Sequence, residues 1–376
     1  MKEIQMVDLH GQYKNIESEV QQAIAEVVES TAFINGPAVK EFQSNLENYL
    51  RCKHVIPCGN GTDALQVSLM ALGLKPGDEV ITTSFTFIAT AEVIALLGLT
   101  PVLVDVFPDT YNIDPEAIRK AITKKTKAIV PVHLFGQAAN MEEIMQIAEE
   151  HDLYVIEDNC QAIGADYIFT NGKKQKAGTI GHIGCTSFFP SKNLGAYGDG
   201  GAIFTNDDEI ATHIRSLVNH GMTVRYYHDH IGVNSRLDSI QAAILSIKLK
   251  HLDEYISARQ QAAQHYNAAF AECEHLVTPA VSDFSSHVYH QYTLIVLESN
   301  RDALKQHLEE KQIPAMIYYP VPLHLQKAYI DPRYKEGDFP VTEALSHQVI
   351  SLPMHTELDK EQIGYITTSV LEFFKQ

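Results

Sequence analysis

Short runs of almost uninterrupted apolar residues, each followed by a helical stretch, constrain this chain more than any other feature. His54-Val55-Ile56-Pro57-Cys58 leads into a helix near Asp63, and Glu79-Val80-Ile81-Thr82-Thr83 precedes a helix around Ala89 to Leu97. Pro101 to Asp105 is followed by a helix near Pro115 to Ile122, and Ala128 to Val132 by one near Met141 to His151. The run Leu153-Tyr154-Val155-Ile156 then ends in Glu157-Asp158. Strands apolar on both sides must be covered on both sides, so this alternation predicts an α/β fold around a mostly parallel central sheet. After Gly184 the texture becomes a hairpin, with Cys185 to Phe189 and Gly201 to Thr205 joined by a glycine-rich turn. Ile240, Ile244, Ile247 and Leu252 then recur at helical spacing and predict one long helix from Leu237 towards Phe270.

Beyond that helix a smaller α+β segment offers a strand at 291–297, a helix at 302–311 and a strand near 315–319. Its last helix starts at Asp359, where Gln362 completes a capping box. The expected division is a large domain over 1–250, opening with a helical segment, and a small C-terminal α+β domain over 251–376. The long helix joins them without a low-complexity linker.

The chain has 376 residues, with 29 Lys plus Arg against 47 Asp plus Glu and a formal charge of −18. A field of that sign repels nucleic acid and anionic membranes, while a small anionic ligand needs only a local cluster of donors. The cysteines, Cys52, Cys58, Cys160, Cys185 and Cys273, are odd in number and widely spaced. They argue against a disulfide framework or zinc ribbon and fit a reducing cytoplasm. Met1 to Asp8 has no apolar leader, and the longest apolar stretch, Phe85 to Val106, is interrupted by Glu92, Gly98, Pro101 and Asp105. The expectation is a soluble, cytoplasmic protein with no membrane or nucleic-acid partner.

Gly59-Asn60-Gly61-Thr62-Asp63-Ala64 satisfies the dinucleotide pattern G-x-G-x-x-A. That pattern wants a carboxylate about 20 residues on at the end of a strand, and Glu79 stands at the start of one. A single phosphate on the amides of Gly61, Thr62 and Asp63 is a second reading, and a plain glycine turn with a Thr cap a third. Two further residues weight the choice: Asp158 closes an apolar strand, and Lys192 follows another in Ser187-Phe188-Phe189-Pro190-Ser191-Lys192. Pyridoxal phosphate needs a lysine for its aldehyde, a carboxylate for its ring nitrogen, an aromatic over its ring and a phosphate cup. Lys192, Asp158, Phe85 or Phe87, and Gly61, Thr62 and Asp63 with Ser187 supply that set. His228-Asp229-His230 lacks further ligands at zinc spacing and reads as a solvated loop, so no metal is expected.

Gly61-Thr62-Asp63-Ala64-Leu65, Glu157-Asp158, Ser187 to Lys192 and Gly232-Val233-Asn234-Ser235-Arg236-Leu237-Asp238 resemble the DegT/DnrJ/EryC1/StrS nucleotide-sugar aminotransferases. These are fold type I pyridoxal-phosphate enzymes, and the resemblance extends from Val7-Asp8-Leu9 to Ser351-Leu352-Pro353-Met354-His355. It implies that Lys192 is the Schiff-base lysine and proton shuttle, where dehydratase relatives carry His. It also implies that Asp158 pairs with the pyridinium nitrogen, Gln161 approaches the ring hydroxyl and Phe87 stacks on the ring. Gly61, Thr62, Asp63 and Ser187 would bind the phosphate. Asn234 would reach the cofactor phosphate of a neighbouring subunit, which implies a homodimer with shared sites.

The implied reaction moves an amino group from L-glutamate, leaving 2-oxoglutarate, to C3 of UDP-2-acetamido-2-deoxy-3-keto-glucuronate. Its implied setting is cell-surface polysaccharide (O-antigen) biosynthesis. Arg236 would meet the sugar carboxylate, with Tyr318, Tyr319 and His324 in the substrate loop. The alternatives are a dTDP-3-keto-6-deoxyhexose 3-aminotransferase, a regulatory relative that keeps the cofactor, and a nicotinamide-dependent oxidoreductase.

Overall fold

Seven strands make the central sheet: β1 (His54–Cys58), β2 (Glu79–Thr83), β3 (Thr100–Val104), β4 (Thr126–Val130), β5 (Tyr154–Asp158), β6 (Ile183–Ser187) and β7 (Gly201–Thr205). Their order is β1-β7-β6-β5-β4-β2-β3. Only β7 runs against the rest, pairing antiparallel with both β1 and β6. The computed structural model describes residues 2–298, 300–329 and 331–375.

Successive residues of one strand enter different cores, as the two-residue period of a strand requires. Ile81, Ile129 and Val155 join a cluster on one face with Phe42, Leu46, Phe188 and Leu245. Val80, Ala128 and Ile156 join another on the opposite face with Leu65, Val67 and Ile203. Helices α1 (Leu9–Ser30), α2 (Pro37–Leu50), α3 (Gly61–Ala71), α4 (Ala89–Leu96), α5 (Pro115–Ala121), α6 (Met141–His151) and α7 (Asp208–Leu217) belong to this layer.

The single long helix expected from Leu237 is instead two, α8 (Ser239–Lys250) and α9 (Leu252–Phe270), broken at His251. The two halves meet different surroundings. α8 is buried along nearly its whole length, from Ala242 to Leu249. α9 begins with Leu252 and Ile256 in the large core, then sends Ala262, Ala263, Tyr266 and Phe270 into a second. That second core covers a three-stranded antiparallel sheet of β8 (Leu276–Val277), β9 (Tyr292–Val296) and β10 (Val349–Leu352). It also takes in Ile4 from the chain's beginning. α10 (Arg301–Glu310), α11 (Pro340–Gln348) and α12 (Lys360–Phe373) complete this part, and Asp359 and Gln362 make both bonds of the expected capping box.

The strand expected at 315–319 does not form. Only Met316 pairs, exchanging both backbone bonds with Ser351, after which the chain leaves the small sheet and carries Tyr318 and Tyr319 away from it. Among the described residues, no helix is long and apolar enough to cross a membrane.

Phe42 is fully buried and meets Phe188 edge-on at 5.4 Å between ring centroids, which ties α2 to the segment leading to Lys192. Phe42→Ala should therefore cost about 3–5 kcal/mol, read as a lower urea midpoint with the transition slope retained.

Candidate active site

In parallel sheets, ligand crevices lie outside the carboxyl ends of the strands, and here β5 and β6 end side by side, with Asp158 opposite Cys185. Asp158 is 5% exposed. Its Oδ2 accepts the Thr90 hydroxyl of α4 at 2.8 Å, and its Oδ1 accepts the Cys160 amide at 3.2 Å. Among the described residues it has no ion-pair partner within 4.0 Å. Glu157, immediately before it, is buried but fully engaged. It meets His133 Nε2 at 2.7 Å and accepts the amides of Gly178, Ile180 and Gly181 at 2.8, 2.6 and 2.5 Å. His133 Nδ1 accepts the Ala139 amide, so the imidazole proton lies on Nε2 and is donated to Glu157. This network anchors the strand end from behind, and the His133 amide bonds to the Asp158 carbonyl at 3.0 Å.

Ser187 closes β6, and a tight loop follows. The Phe188 amide bonds to the Gly200 carbonyl and the Ala196 amide to the Phe188 carbonyl, both at 2.7 Å. A Cβ on Gly195 would stand 2.2 Å from the Pro190 carbonyl oxygen, so only glycine fits that position. Two outside contacts hold the loop: Asn193 Nδ2 donates to the Val288 carbonyl at 2.9 Å, and Lys248 Nζ of α8 donates to the Gly195 carbonyl at 2.6 Å.

Lys192 is thereby aimed into the crevice. Burial pulls its amine below the ordinary lysine range, opposed by the charges of Cys160 and Asp158. Lys248, fully buried, is pulled down to about 7 by desolvation and then by the nearby charge of Arg259.

α3 starts at Gly61, two residues earlier than expected, and its cap is Asn60 rather than Thr62. Asn60 Oδ1 accepts the Asp63 amide at 2.8 Å. The Asp63 carboxylate accepts the Ser235 hydroxyl at 2.6 Å, and Ser235 accepts the Gly59 amide at 2.9 Å. This arrangement leaves the helix-start amides of Gly61 and Thr62, together with the Ser187 hydroxyl, as the donors facing an anion. A Cβ on Gly61 would lie 2.7 Å from Ser187 Cβ and 3.0 Å from Cys160 Sγ, so the cup depends on that missing atom.

Phe85 and Phe87 part company. Phe85 is buried against Tyr111 and Phe135, whereas Phe87 is 55% exposed. Tyr319 packs on both, at 6.0 and 6.4 Å between centroids. Gln161 donates to the Tyr319 hydroxyl at 3.1 Å and accepts the Phe135 amide at 2.8 Å. Arg236 is partly buried beside Ser235, and Asn234 is exposed on the same segment.

His324 is taken up by partners in the chain. Its side chain is fully enclosed, paired with Glu343 at 3.0 Å and set edge-on to Phe339, so it ties its own loop to the start of α11. His228, Asp229 and His230 are exposed, and the described residues contain no group of three or more His, Cys, Asp or Glu fit for a metal. Glu79 binds the Thr123 hydroxyl at the start of β2, the wrong end of the sheet for holding a ribose. Thr90, His290 and Lys248 were not foreseen, because each reaches the site from a distant segment and no local pattern marks them.

Residues 14–371 match the DegT/DnrJ/EryC1/StrS aminotransferase family. The chain belongs to that family. It is an enzyme, a pyridoxal-phosphate-dependent aminotransferase of fold type I. It is 48% identical to the "pleiotropic regulatory protein" of Geobacillus stearothermophilus, over 99% of each chain. It is 45% identical to the UDP-2-acetamido-2-deoxy-3-oxo-D-glucuronate aminotransferase of Pseudomonas aeruginosa, over 98% of this chain and 99% of that one. Transaminases named for dTDP-3-amino sugars match at 36–41%. A solved DegT/DnrJ/EryC1/StrS aminotransferase from Brucella abortus superposes with a TM-score of 0.93 at 43% identity, covering 99% of this chain and 100% of that one.

The crevice of this aminotransferase fits its cofactor. A buried carboxylate without an ion-pair partner among the described residues suits a protonated ring nitrogen. The close approach of Gly61 to Ser187 puts helix-start amides beside a hydroxyl, a donor set that suits a phosphate.

Two outcomes follow for the cup and the loop. Gly61→Ala should weaken pyridoxal phosphate binding at least tenfold in an absorbance titration while leaving the far-ultraviolet dichroism unchanged. Lys248 binds its proton less readily folded than unfolded, so stability should rise with pH from about 7 towards the unfolded lysine range. Lys192 acts with the same sign. Lys248→Met should flatten much of that rise in urea midpoints measured between pH 7 and 9.

Proposed function

We propose that this aminotransferase moves an amino group from L-glutamate to C3 of UDP-2-acetamido-2-deoxy-3-keto-glucuronate, within cell-surface polysaccharide synthesis in the cytoplasm. A nucleotide-sugar aminotransferase must read both a nucleotide-linked sugar and an amino acid in one crevice. The observation that carries the acid-sugar reading is Arg236, partly buried and adjacent to Ser235, which ties it to the phosphate turn through Asp63 and Gly59. A guanidinium held there offers a sugar carboxylate a bidentate, charge-assisted partner. The full-length similarity to a relative named for that 3-oxo-glucuronate sugar supports the choice.

When bound, pyridoxal phosphate supplies the electron sink and carries the amino group between the two substrates. The chain supplies the rest. Ser187 and the amides of Gly61 and Thr62 would anchor the phosphate, with Asp63 holding the turn in shape. The Asp158 carboxylate, fixed by Thr90, would keep a proton on the ring nitrogen, and Gln161 would approach the ring hydroxyl. Phe87 would cover the ring and exclude water. Lys192 Nζ, its amine favoured by burial, would take the proton from the donor carbon and return it during the second half of the cycle. Tyr318 and Tyr319 would border the sugar. Asn234, exposed on each copy, would complete a neighbour's phosphate site in a homodimer.

The dTDP-sugar relatives favour a second reading, a neutral dTDP-3-keto-6-deoxyhexose as acceptor. One experiment separates the two. The enzyme is converted to its amino form with L-glutamate, freed of excess donor, and mixed with UDP-2-acetamido-3-keto-glucuronate made in situ. The expected result is return of the original absorbance band together with the mass of a UDP-3-amino sugar acid. Return only with the dTDP-keto sugar would overturn the acid reading. Arg236→Leu should raise KM for the acid sugar about tenfold to a hundredfold, in line with the ~1.5–3 kcal/mol of a charged hydrogen bond.

A further inference from the structure

His290 is 5% exposed and lies just before β9. Its Nε2 is 3.5 Å from Lys192 Nζ and 3.5 Å from Gln291 Nε2. Both neighbours are donors, so Nε2 is the acceptor and the single imidazole proton lies on Nδ1, which is buried without a partner. A buried ring with an unmet nitrogen is costly, and its retention here calls for an explanation.

The backbone around His290 is clamped from three sides. Arg259 of α9, 2% exposed, donates from one terminal nitrogen to the carbonyls of Tyr289, His290 and Met354 at 3.1, 3.4 and 2.9 Å. Asn193, the residue after Lys192, holds the Val288 carbonyl. The Val288 amide bonds to the Gly136 carbonyl at 2.7 Å, and the Gln291 amide to the Phe135 carbonyl at 3.3 Å. The lysine loop and the histidine are thus fixed to each other through one residue pair, and α9 fixes both to the small domain.

We propose that His290 is a positioning residue for Lys192, its Nε2 accepting a hydrogen bond from Nζ whenever that amine is free of the cofactor. The bond takes up one N–H and leaves the nitrogen lone pair pointing into the crevice. This inference rests on the reading of Lys192 as the cofactor lysine. The charged or titratable groups around the amine are Cys160 and Asp158 from the end of β5, and His290 from the small domain. Those around the imidazole are Lys192 and Arg259, and burial together with these two cations keeps the ring neutral.

The test is the rate at which cofactor-free protein captures pyridoxal phosphate, followed by absorbance across pH, beside the affinity for pyridoxamine phosphate, which cannot bond to Lys192. At pH above the midpoint, where the amine is neutral in every variant, His290→Phe and His290→Asn, neither of which offers an acceptor at Nζ, should capture about tenfold more slowly. Their pH midpoint should also move down, because the ammonium loses an acceptor, while pyridoxamine phosphate affinity stays within twofold. His290→Gln, which restores an acceptor, should recover most of the rate. Asn has the shorter side chain, so a folded Asn variant gives the answer even if Phe disturbs packing. Wild-type rate and midpoint in the Phe and Asn variants would overturn the proposal. A wild-type chain that binds neither form of the cofactor would overturn the underlying reading of Lys192 as well, which is a separate and recognisable result.

Discussion

A buried carboxylate with no ion-pair partner within 4.0 Å among the described residues is the constraint around which this crevice is built. Taking Asp158 out of water costs several kcal/mol unless donors and a cation replace the lost solvent. Thr90 and the Cys160 amide replace part of it, and the crevice in front is left for a positively charged group. The parallel pairing of β5 with β6 puts Ser187 and the lysine loop at the same edge, so the carboxylate, the amine and the phosphate cup converge. The satisfied Glu157–His133 pair behind Asp158 shows the contrast. There every acceptor is met from within the chain, and nothing is left over for a ligand.

The part of the chain beyond α8 supplies walls rather than the central acid and base. It reaches the site by two routes: the segment around His290, strapped by Arg259 and Asn193, and the Tyr318-Tyr319 loop, whose second ring rests on Phe85, Phe87 and Gln161. One route precedes β9, the central strand of the small sheet, and the other follows the Met316–Ser351 bridge beside β10.

Much of this was legible from residue order. Apolar runs separated by helices gave the parallel sheet, because a strand covered on both faces leaves no alternation, and the strand-terminal Asp158 and the lysine loop followed from it. The residue pattern left Phe85 and Phe87 open and the family resemblance pointed to Phe87; the structure adds the physical reason, since the Phe85 ring is spent on Tyr111 and Phe135. The helix break at His251 was hidden because apolar spacing continues through it, although the partners change from one core to the other. His324 looked like a loop ligand and is enclosed by Glu343 and Phe339, a pairing 15 to 19 residues away that no periodicity reveals. Thr90, Lys248 and His290 act across 50 residues or more, beyond any local pattern.

The central claim is that Lys192, facing Asp158, is the lysine that bears the cofactor. The direct measurement is to load the protein with pyridoxal phosphate, reduce it with borohydride, digest it and locate the added mass. The account predicts one pyridoxyl label per chain, on Lys192, and none after Lys192→Ala. A label on Lys248 or on any surface lysine, or one that persists in Lys192→Ala, would contradict it.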